Sequence, residues 1–271
     1  MKNKEKKSKR KIRIYEKCFK RLIDFIGALM LIVVLSPIII VISIISLFAV
    51  GRPVVFSQYR PGRNGKVFKL YKFRSMSYEK DKKGKLLSDK ERVTKFGKFL
   101  RKSGLDELLQ LVNILKGDMS FVGPRPRLVK DLVFYDEESL KAYKVRPGIA
   151  GLAQYRGGRT GCSWEEVFKH DIEYAENITF LGDLKIVFKT CFSVIKKEWM
   201  SSDACEPKRE YYYPDYLLKT GQITKDQYNK GLAQAEEIID QRGAVKFEES
   251  LHKKKKDTHN KFVIKEEIKP D

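Results

Sequence analysis

The stretch "LIVVLSPIIIVISII", Leu31–Ile45, decides the fold, because only Ser36-Pro37 and Ser43 interrupt a run of lipid-compatible side chains. Either the segment crosses a membrane, or it turns at Ser36-Pro37 and leaves by the side it entered. Around it, Leu22–Val50 contain a single charge, Asp24. As a straight helix these residues would reach roughly 43 Å, more than the ~30 Å hydrocarbon core requires. A cleaved signal peptide is disfavoured, because the apolar run is too long and no small-residue cleavage site follows it. Pro37 lacks an N–H and clashes with the carbonyl four residues back, Val33, so a kink or break is expected there. The Ser36 hydroxyl can bond a carbonyl one turn earlier and help satisfy the opened turn.

Charge bears on the same choice. Residues 1–21 hold eleven Lys/Arg and two Glu, a net +9 of the chain's +21. A basic arm beside an apolar run reads first as a membrane-surface anchor, with nucleic acid as the rival partner. Residues 51–78 add Arg52, Arg60, Arg63, Lys66, Lys69, Lys72 and Arg74 with no acid. Basic flanks favour the cytoplasmic side, so both ends of the segment ask for the same side and lean towards a re-entrant hairpin over a kinked span. The four cysteines show no C-x-x-C or metal-ligand spacing and the three histidines are scattered. This pattern fits a reducing setting with neither a disulfide framework nor a zinc site.

Downstream, "VVFSQY" and "KVFKLYKF" flank Asn64-Gly65 and predict a β-hairpin. Residues 78–92 read as a solvated loop or short helix. Val93, Phe96, Phe99 and Leu100 have helical spacing, and "KSGLDELLQLVNILKGD" predicts one helix. In that helix Ser103 would be the N-cap, Leu105, Leu108, Leu109, Val112 and Leu115 would share a face, and Gly117 would be the stop. Capping boxes open helices at Ser163/Glu166, with Trp164, Val167, Phe168 and Ile172 inward, and at Thr224/Gln227. In "LGDLKIVFKTCFSVIKKEW" an apolar row of Leu184, Val187, Phe188, Cys191 and Ile195 lies among Lys185, Lys189, Lys196 and Lys197. It suits a buried face or a helix lying in a membrane interface equally. The last twenty residues, rich in Lys and Glu, have a disordered composition.

The chemistry concentrates around Asp106-Glu107. Acids at a helix start are ordinarily caps that complement the dipole. Here, however, Arg101 precedes them and "GPRPR" (residues 123–127) follows, a loop stiffened by Pro124 and Pro126 that presents Arg125. "YKFRSM" supplies Lys72 and Arg74, and "RPGIAGLAQYRGGR" supplies a glycine-rich loop with Arg146, Arg156 and Arg159. Cations and close-approaching backbone suit a diphosphate. A carboxylate among them repels phosphate, and makes sense if it carries Mg²⁺ or attacks phosphorus itself.

Taken together, "SGLDELLQLVNILKGDMSFVGPRP", "YKFRSM", "VRPGIAGLAQ" and the Ser-Pro-interrupted N-terminal helix resemble the bacterial sugar transferases. These are the monotopic phosphoglycosyl transferases, here in the short single-domain form. The resemblance covers about residues 12–200. It implies transfer of a sugar-1-phosphate from a UDP-sugar to a polyprenyl phosphate at the cytoplasmic face of the bacterial inner membrane, with release of UMP, as a first membrane step of glycoconjugate assembly. By motif, Asp106 would be the nucleophile and Mg²⁺ contact, and Glu107 the base preparing the lipid phosphate. Lys72 and Arg101 would hold phosphates, the Pro124-Arg125-Pro126 loop would meet the nucleotide, and Ser36-Pro37 would be the hinge of a re-entrant helix. Gly104 departs from the pattern, since a larger residue is expected there in relatives.

The expectation is therefore an α+β, mainly helical protein. A basic arm (1–21) and a re-entrant membrane helix broken at Ser36-Pro37 (22–50) would lead into a compact cytoplasmic catalytic domain with a small β-hairpin and interfacial amphipathic helices (51–200). A C-terminal extension (201–271) would follow, whose helix could pack on the domain, bind a partner or support a homodimer. Donor, acceptor and membrane lipids are the expected partners and nucleic acid is not. The alternative is a membrane-anchored, non-enzymatic scaffold or a nucleic-acid-binding protein.

Overall fold

The computed structural model describes residues 13–157, 162–195 and 212–241. The arm before residue 13, Arg159, Lys196, Lys197, Cys205 and the charged tail lie outside the described residues. A π-helical turn, Tyr15–Phe19, runs into α1, Lys20–Ala49. The expected break is not an interruption: Pro37 sits inside α1 and helical geometry continues through it. The reason lies next door. The Ser36 hydroxyl donates to the Val33 carbonyl at 2.7 Å, supplying a bond where Pro37 has no N–H to give. Much of α1 is bare, with Val33 65%, Val34 69% and Phe48 84% exposed. By length and composition α1 is able to cross a membrane.

Both ends of α1 are fastened to the rest of the chain. Near the start, Arg21 donates to the Ile114 and Leu115 carbonyls at 2.6 and 2.8 Å, and Asp24 accepts from the Phe121 N–H at 3.1 Å. Near the end, Arg74 donates to the Val50 and Arg52 carbonyls at 2.6 and 3.0 Å. Between them α1 contributes to two cores. Ala28, Ile32 and Leu35 pack with Phe68, Leu70, Leu111 and Ile114, while Ile39 and Ile42 pack with Phe73, Leu100 and Leu108. Residue 50 is thus a boundary in composition and not in packing.

Strands β1 (Val55–Pro61) and β2 (Val67–Phe73) form the predicted antiparallel hairpin, pairing Val55 with Phe73 and Pro61 with Val67. Its tip turns through Asn64 and Gly65, both at positive φ. The polar segment that follows contains one helical turn, α2, Asp89–Arg92. Helix α3, Lys95–Ser103, is capped by Thr94 Oγ1, which accepts from Gly97 N–H at 2.9 Å. Its Phe99 faces outward, beside Phe96, and Leu100 is the buried member.

The single helix expected from residue 103 to 117 is two elements. Gly104 adopts φ +72° and ends α3. A 3-10 turn, Leu105–Glu107, follows, and α4 spans Gln110–Lys116 before Gly117 closes it at φ +86°. Ser103 is no N-cap: its hydroxyl donates back to the Phe99 and Leu100 carbonyls. Leucine periodicity could not reveal the split, because Leu105, Leu108 and Leu109 still pack on α1 across it. Of the expected leucine face, Val112 is exposed, and the deeply buried positions of α4 are Gln110, Leu111, Asn113 and Ile114. Asn113 joins α4 to β2, accepting from Tyr71 N–H at 3.1 Å and donating to the Lys69 carbonyl at 2.8 Å.

Strands β3 (Ser120–Val122) and β4 (Gly148–Ala150) pair in parallel, with the one-turn helix α5 (Val129–Leu132) between them in sequence. Helix α6 (Leu152–Gly157) leads to α7 (Trp164–Glu176), whose Ser163/Glu166 capping box forms and whose Trp164 and Val167 are buried. In helix α8 (Phe180–Ile195) the expected apolar row divides, with Val187 packed on the core of β3, β4 and α7. Asp183 and Ile186 face inward, whereas Leu181 and Phe188 are 74% and 67% exposed and Leu184 and Phe192 also face out. Like the bare part of α1, this outward face is apolar surface that water does not stabilise. Two further helices, α9 (Tyr213–Lys219), which periodicity did not announce, and α10 (Lys225–Asp240), with the Thr224/Gln227 box intact, pack on the domain. The architecture is mainly helical with two small two-stranded sheets.

Candidate active site

Three elements bring the predicted residues together. On β2, the two-residue period puts Phe68, Leu70 and Lys72 in one row; the first two are core, and Lys72 continues the row to Glu107. The glycine turn at Gly104 places Asp106 and Glu107, both buried, between α3 and α4. The third element is the loop after β3. A Cβ on Gly148 would lie 2.1 Å from Gly123 N, and one on Gly123 would lie 2.3 Å from the Arg146 carbonyl oxygen. Only glycine permits this backbone contact, which seats the Pro124-Arg125-Pro126 loop against residues 146–148.

Glu107 is the centre of the charge cluster. Its Oε1 accepts from Lys72 Nζ at 2.9 Å and from Arg125 at 2.8 Å. Asp106 stands beside it, with Oδ2 4.0 Å from Lys72 Nζ. Burial alone would raise the Glu107 pKa, but Arg125 and Lys72 together hold it well below the usual carboxylate range. Burial pushes Lys72 down, against the pull of Glu107, while Glu107 pulls Arg125 up. Glu107 is therefore kept ionised by side-chain cations. The helix N-terminus expected to do this is only a three-residue 3-10 turn.

Other predicted residues fall elsewhere. The Arg74 guanidinium holds the end of α1 and stacks on Tyr78 at 4.6 Å. Arg101, in the last turn of α3, donates through Nε to Ser75 Oγ at 2.7 Å. The Pro124 carbonyl accepts from Gly148 N–H at 3.0 Å and the Pro126 carbonyl from Arg60 at 3.2 Å. From the glycine-rich loop, Arg146 donates to the Gly117 carbonyl and Arg156 forms a bidentate pair with Glu173. Sequence reading gave no role to Arg60 and Arg127. Arg60 is lowered to about 10, by burial and then by the neighbouring Arg125 charge. Arg127 lies 5.2 Å over the Trp164 ring. The second arginine of "GPRPR" was the available signal.

No three His, Cys, Asp or Glu side chains gather into a ready-made metal cage among the described residues. Asp106 nonetheless fits Mg²⁺, which takes one or two carboxylates and draws its remaining oxygens from water and substrate phosphates. It is buried directly beside Glu107 in the same 3-10 turn, so a second carboxylate lies next to it.

Residues 15–197 match the family model described as bacterial sugar transferase. The chain belongs to this family. It is 46% identical over 179 residues to the uncharacterized sugar transferase EpsL of Bacillus subtilis, covering 66% of this chain and 88% of that one. It is 41% identical over 183 residues to a UDP-glucose:undecaprenyl-phosphate glucose-1-phosphate transferase of Klebsiella pneumoniae, covering 64% of this chain but 39% of the relative. With the galactosyl transferase CpsE of Streptococcus agalactiae it shares 37% identity over 190 residues, 63% of this chain and 41% of the relative.

Proposed function

We propose that this sugar transferase moves a sugar-1-phosphate from a UDP-sugar to a polyprenyl phosphate, releasing UMP, at the cytoplasmic face of the bacterial cell membrane. One observation carries the reading: a buried Asp106-Glu107 pair in which Lys72 and Arg125 both converge on one oxygen of Glu107. Donor and acceptor chemistry follow relatives such as the Klebsiella enzyme, named for UDP-glucose and undecaprenyl phosphate.

In the first half-reaction an Asp106 carboxylate oxygen attacks the phosphorus bearing the sugar. The new O–P bond forms as the P–O bond to UMP breaks, and UMP leaves with the electron pair. In the second, an oxygen of the lipid phosphate attacks the same phosphorus and Asp106 departs as carboxylate. Lys72 and Arg125 stabilise charge gathering on the phosphoryl oxygens. Bound at Asp106 and the diphosphate, Mg²⁺ would screen the acid from the anionic donor. Glu107 is a poor base while both cations hold it. When the diphosphate draws Lys72 and Arg125 towards itself, the Glu107 pKa rises and it can take the proton of the lipid phosphate.

The membrane geometry is re-entrant in this reading, with Ser36-Pro37 as the bend. Its support is that both ends of α1 are tied to one body, together with the outward apolar face of α8. In a cysteine-free background, single cysteines at positions 2 and 66 are expected to label from the cytoplasmic side only. Labelling from opposite faces excludes the hairpin. For the chemistry, UMP release from a panel of UDP-sugars should require both Mg²⁺ and polyprenyl phosphate for full turnover. Asp106→Asn should lower it by about 10⁴-fold or more. Release that survives the substitution removes Asp106 as nucleophile.

A further inference from the structure

The residues matched to the family end at 197, yet α9 and α10 are built into the domain beside the site. Val129, Leu132 and Val133, which continue directly from the "GPRPR" loop, are buried against Ala235 and Ile238 of α10. Gly231 presses on Phe134 so closely that a Cβ there would stand 2.2 Å from the ring. At the start of α9, the Tyr213 ring contacts Trp164 at 5.1 Å, Phe168 at 5.1 Å and Tyr135 at 5.3 Å between centroids. Trp164 is the ring that carries the Arg127 guanidinium. Lys130 sits over the Tyr212 ring at 3.8 Å.

This placement has a physical consequence for Arg125. Two prolines stiffen the loop internally, but its position relative to Glu107 depends on what anchors its far end. That anchor is α5, four residues long. A single turn has no helical stability of its own and exists only through packing. We propose that α9 and α10 form an intramolecular brace that fixes the Arg125–Arg127 loop where it meets the donor diphosphate, with Tyr213 as the positioning residue. The catalytic part of this inference rests on the function proposed above.

Two measurements on the full-length protein test it. In the UMP assay, Tyr213→Ala is expected to raise KM for the UDP-sugar about tenfold and to lower kcat as well, because Arg125 also stabilises the transition state, with Tyr213→Phe restoring both wild-type values. Gly231→Leu, which wedges α10 away from Phe134, should reproduce the effect from the second helix. Simple loss of folded enzyme would lower kcat at unchanged KM, and that result, or no change at all, overturns the proposal. Hydrogen exchange supplies a readout independent of activity. Tyr213→Ala and Gly231→Leu should each speed amide exchange in residues 125–134 about tenfold and leave the hairpin 55–73 unchanged. Unchanged exchange in that loop, or acceleration throughout the chain, overturns the brace. If wild-type protein releases UMP from no UDP-sugar, the proposed function falls and hydrogen exchange still decides whether the brace exists.

Discussion

Two buried carboxylates in this molecule each hold a lysine, and they are built differently. Asp183 of α8 accepts from Lys20 Nζ at 2.5 Å and from the Tyr15 hydroxyl at 2.8 Å on Oδ2. On Oδ1 the Tyr174 hydroxyl stands at 2.8 Å, itself 2.9 Å from the Val122 carbonyl. Five elements meet there, and Lys20 sits within electrostatic reach of a second buried acid, Asp24, as well as Asp183. At Glu107, by contrast, two cations converge on a single oxygen. A single lysine on a carboxylate whose other bonds come from tyrosine hydroxyls can stay as it is and hold helices in register. A crowded one holds cations that an incoming anion can draw away. On the function proposed above, the difference separates a fastening from a reaction centre even though both are buried ion pairs.

Neutralising each acid in turn sharpens this contrast. Asp183→Asn and Glu107→Gln should each lower unfolding free energy by about 3–5 kcal/mol, because a buried ammonium or guanidinium loses its partner. Denaturant unfolding in detergent micelles measures both. Activity per folded molecule then separates them: Asp183→Asn should stay within about twofold of wild type, whereas Glu107→Gln should fall about 10²–10³-fold. Equal activity losses would erase the distinction drawn here.

The pH dependence is a smaller version of the same experiment. Folding holds the Glu107 pKa below the ordinary glutamate value of 4.5. Between those two values the unfolded chain binds more protons, so stability rises with pH. The contribution is complete above about pH 4.5 and disappears as pH falls through the folded value. Wild type should therefore lose part of its advantage over Glu107→Gln on going from about pH 6 to about pH 3, with the remainder lost only at the still lower folded value. A constant difference across that range would mean that Lys72 and Arg125 do not hold Glu107 in solution.

The smallest effects come from backbone fittings outside both clusters. Gly104→Ala places a side chain at φ +72° and should cost about 1–2 kcal/mol. Ser36→Ala removes the bond to the Val33 carbonyl and should cost about 0.5–1.5 kcal/mol. Thermal unfolding reads both. A neutral Ser36→Ala would show that the opened turn in α1 is satisfied by other means.

What could be read from the sequence follows from the range of the forces involved. Asn64-Gly65, the Ser163/Glu166 and Thr224/Gln227 boxes and the Ser36 hydroxyl act over four residues or fewer, and each formed as read. The acid pair and its companions were legible as a collection, because cations around a carboxylate need chemical explanation wherever they meet. Which cation touches which acid was not. Lys72 reaches Glu107 through strand register, whereas Arg74, two positions on, meets the end of α1. The split at Gly104 was hidden because the leucines on either side of it serve one shared core with α1. The Tyr213 contacts were invisible for a related reason: they join residues some fifty to eighty positions apart, and no local period encodes such pairing.

The sharing of core between α1 and the rest has a practical side. Ala28, Ile32 and Leu35 face Phe68, Leu70 and Ile114, so removing the first fifty residues would not liberate a water-soluble fragment. It would uncover the underside of the hairpin and of α4, and unhook Arg21 from the last carbonyls of that helix. There is no seam in this molecule along which the oily part can be cut from the reacting part. Preparation for study must keep an amphiphile in place from the first extraction step onward.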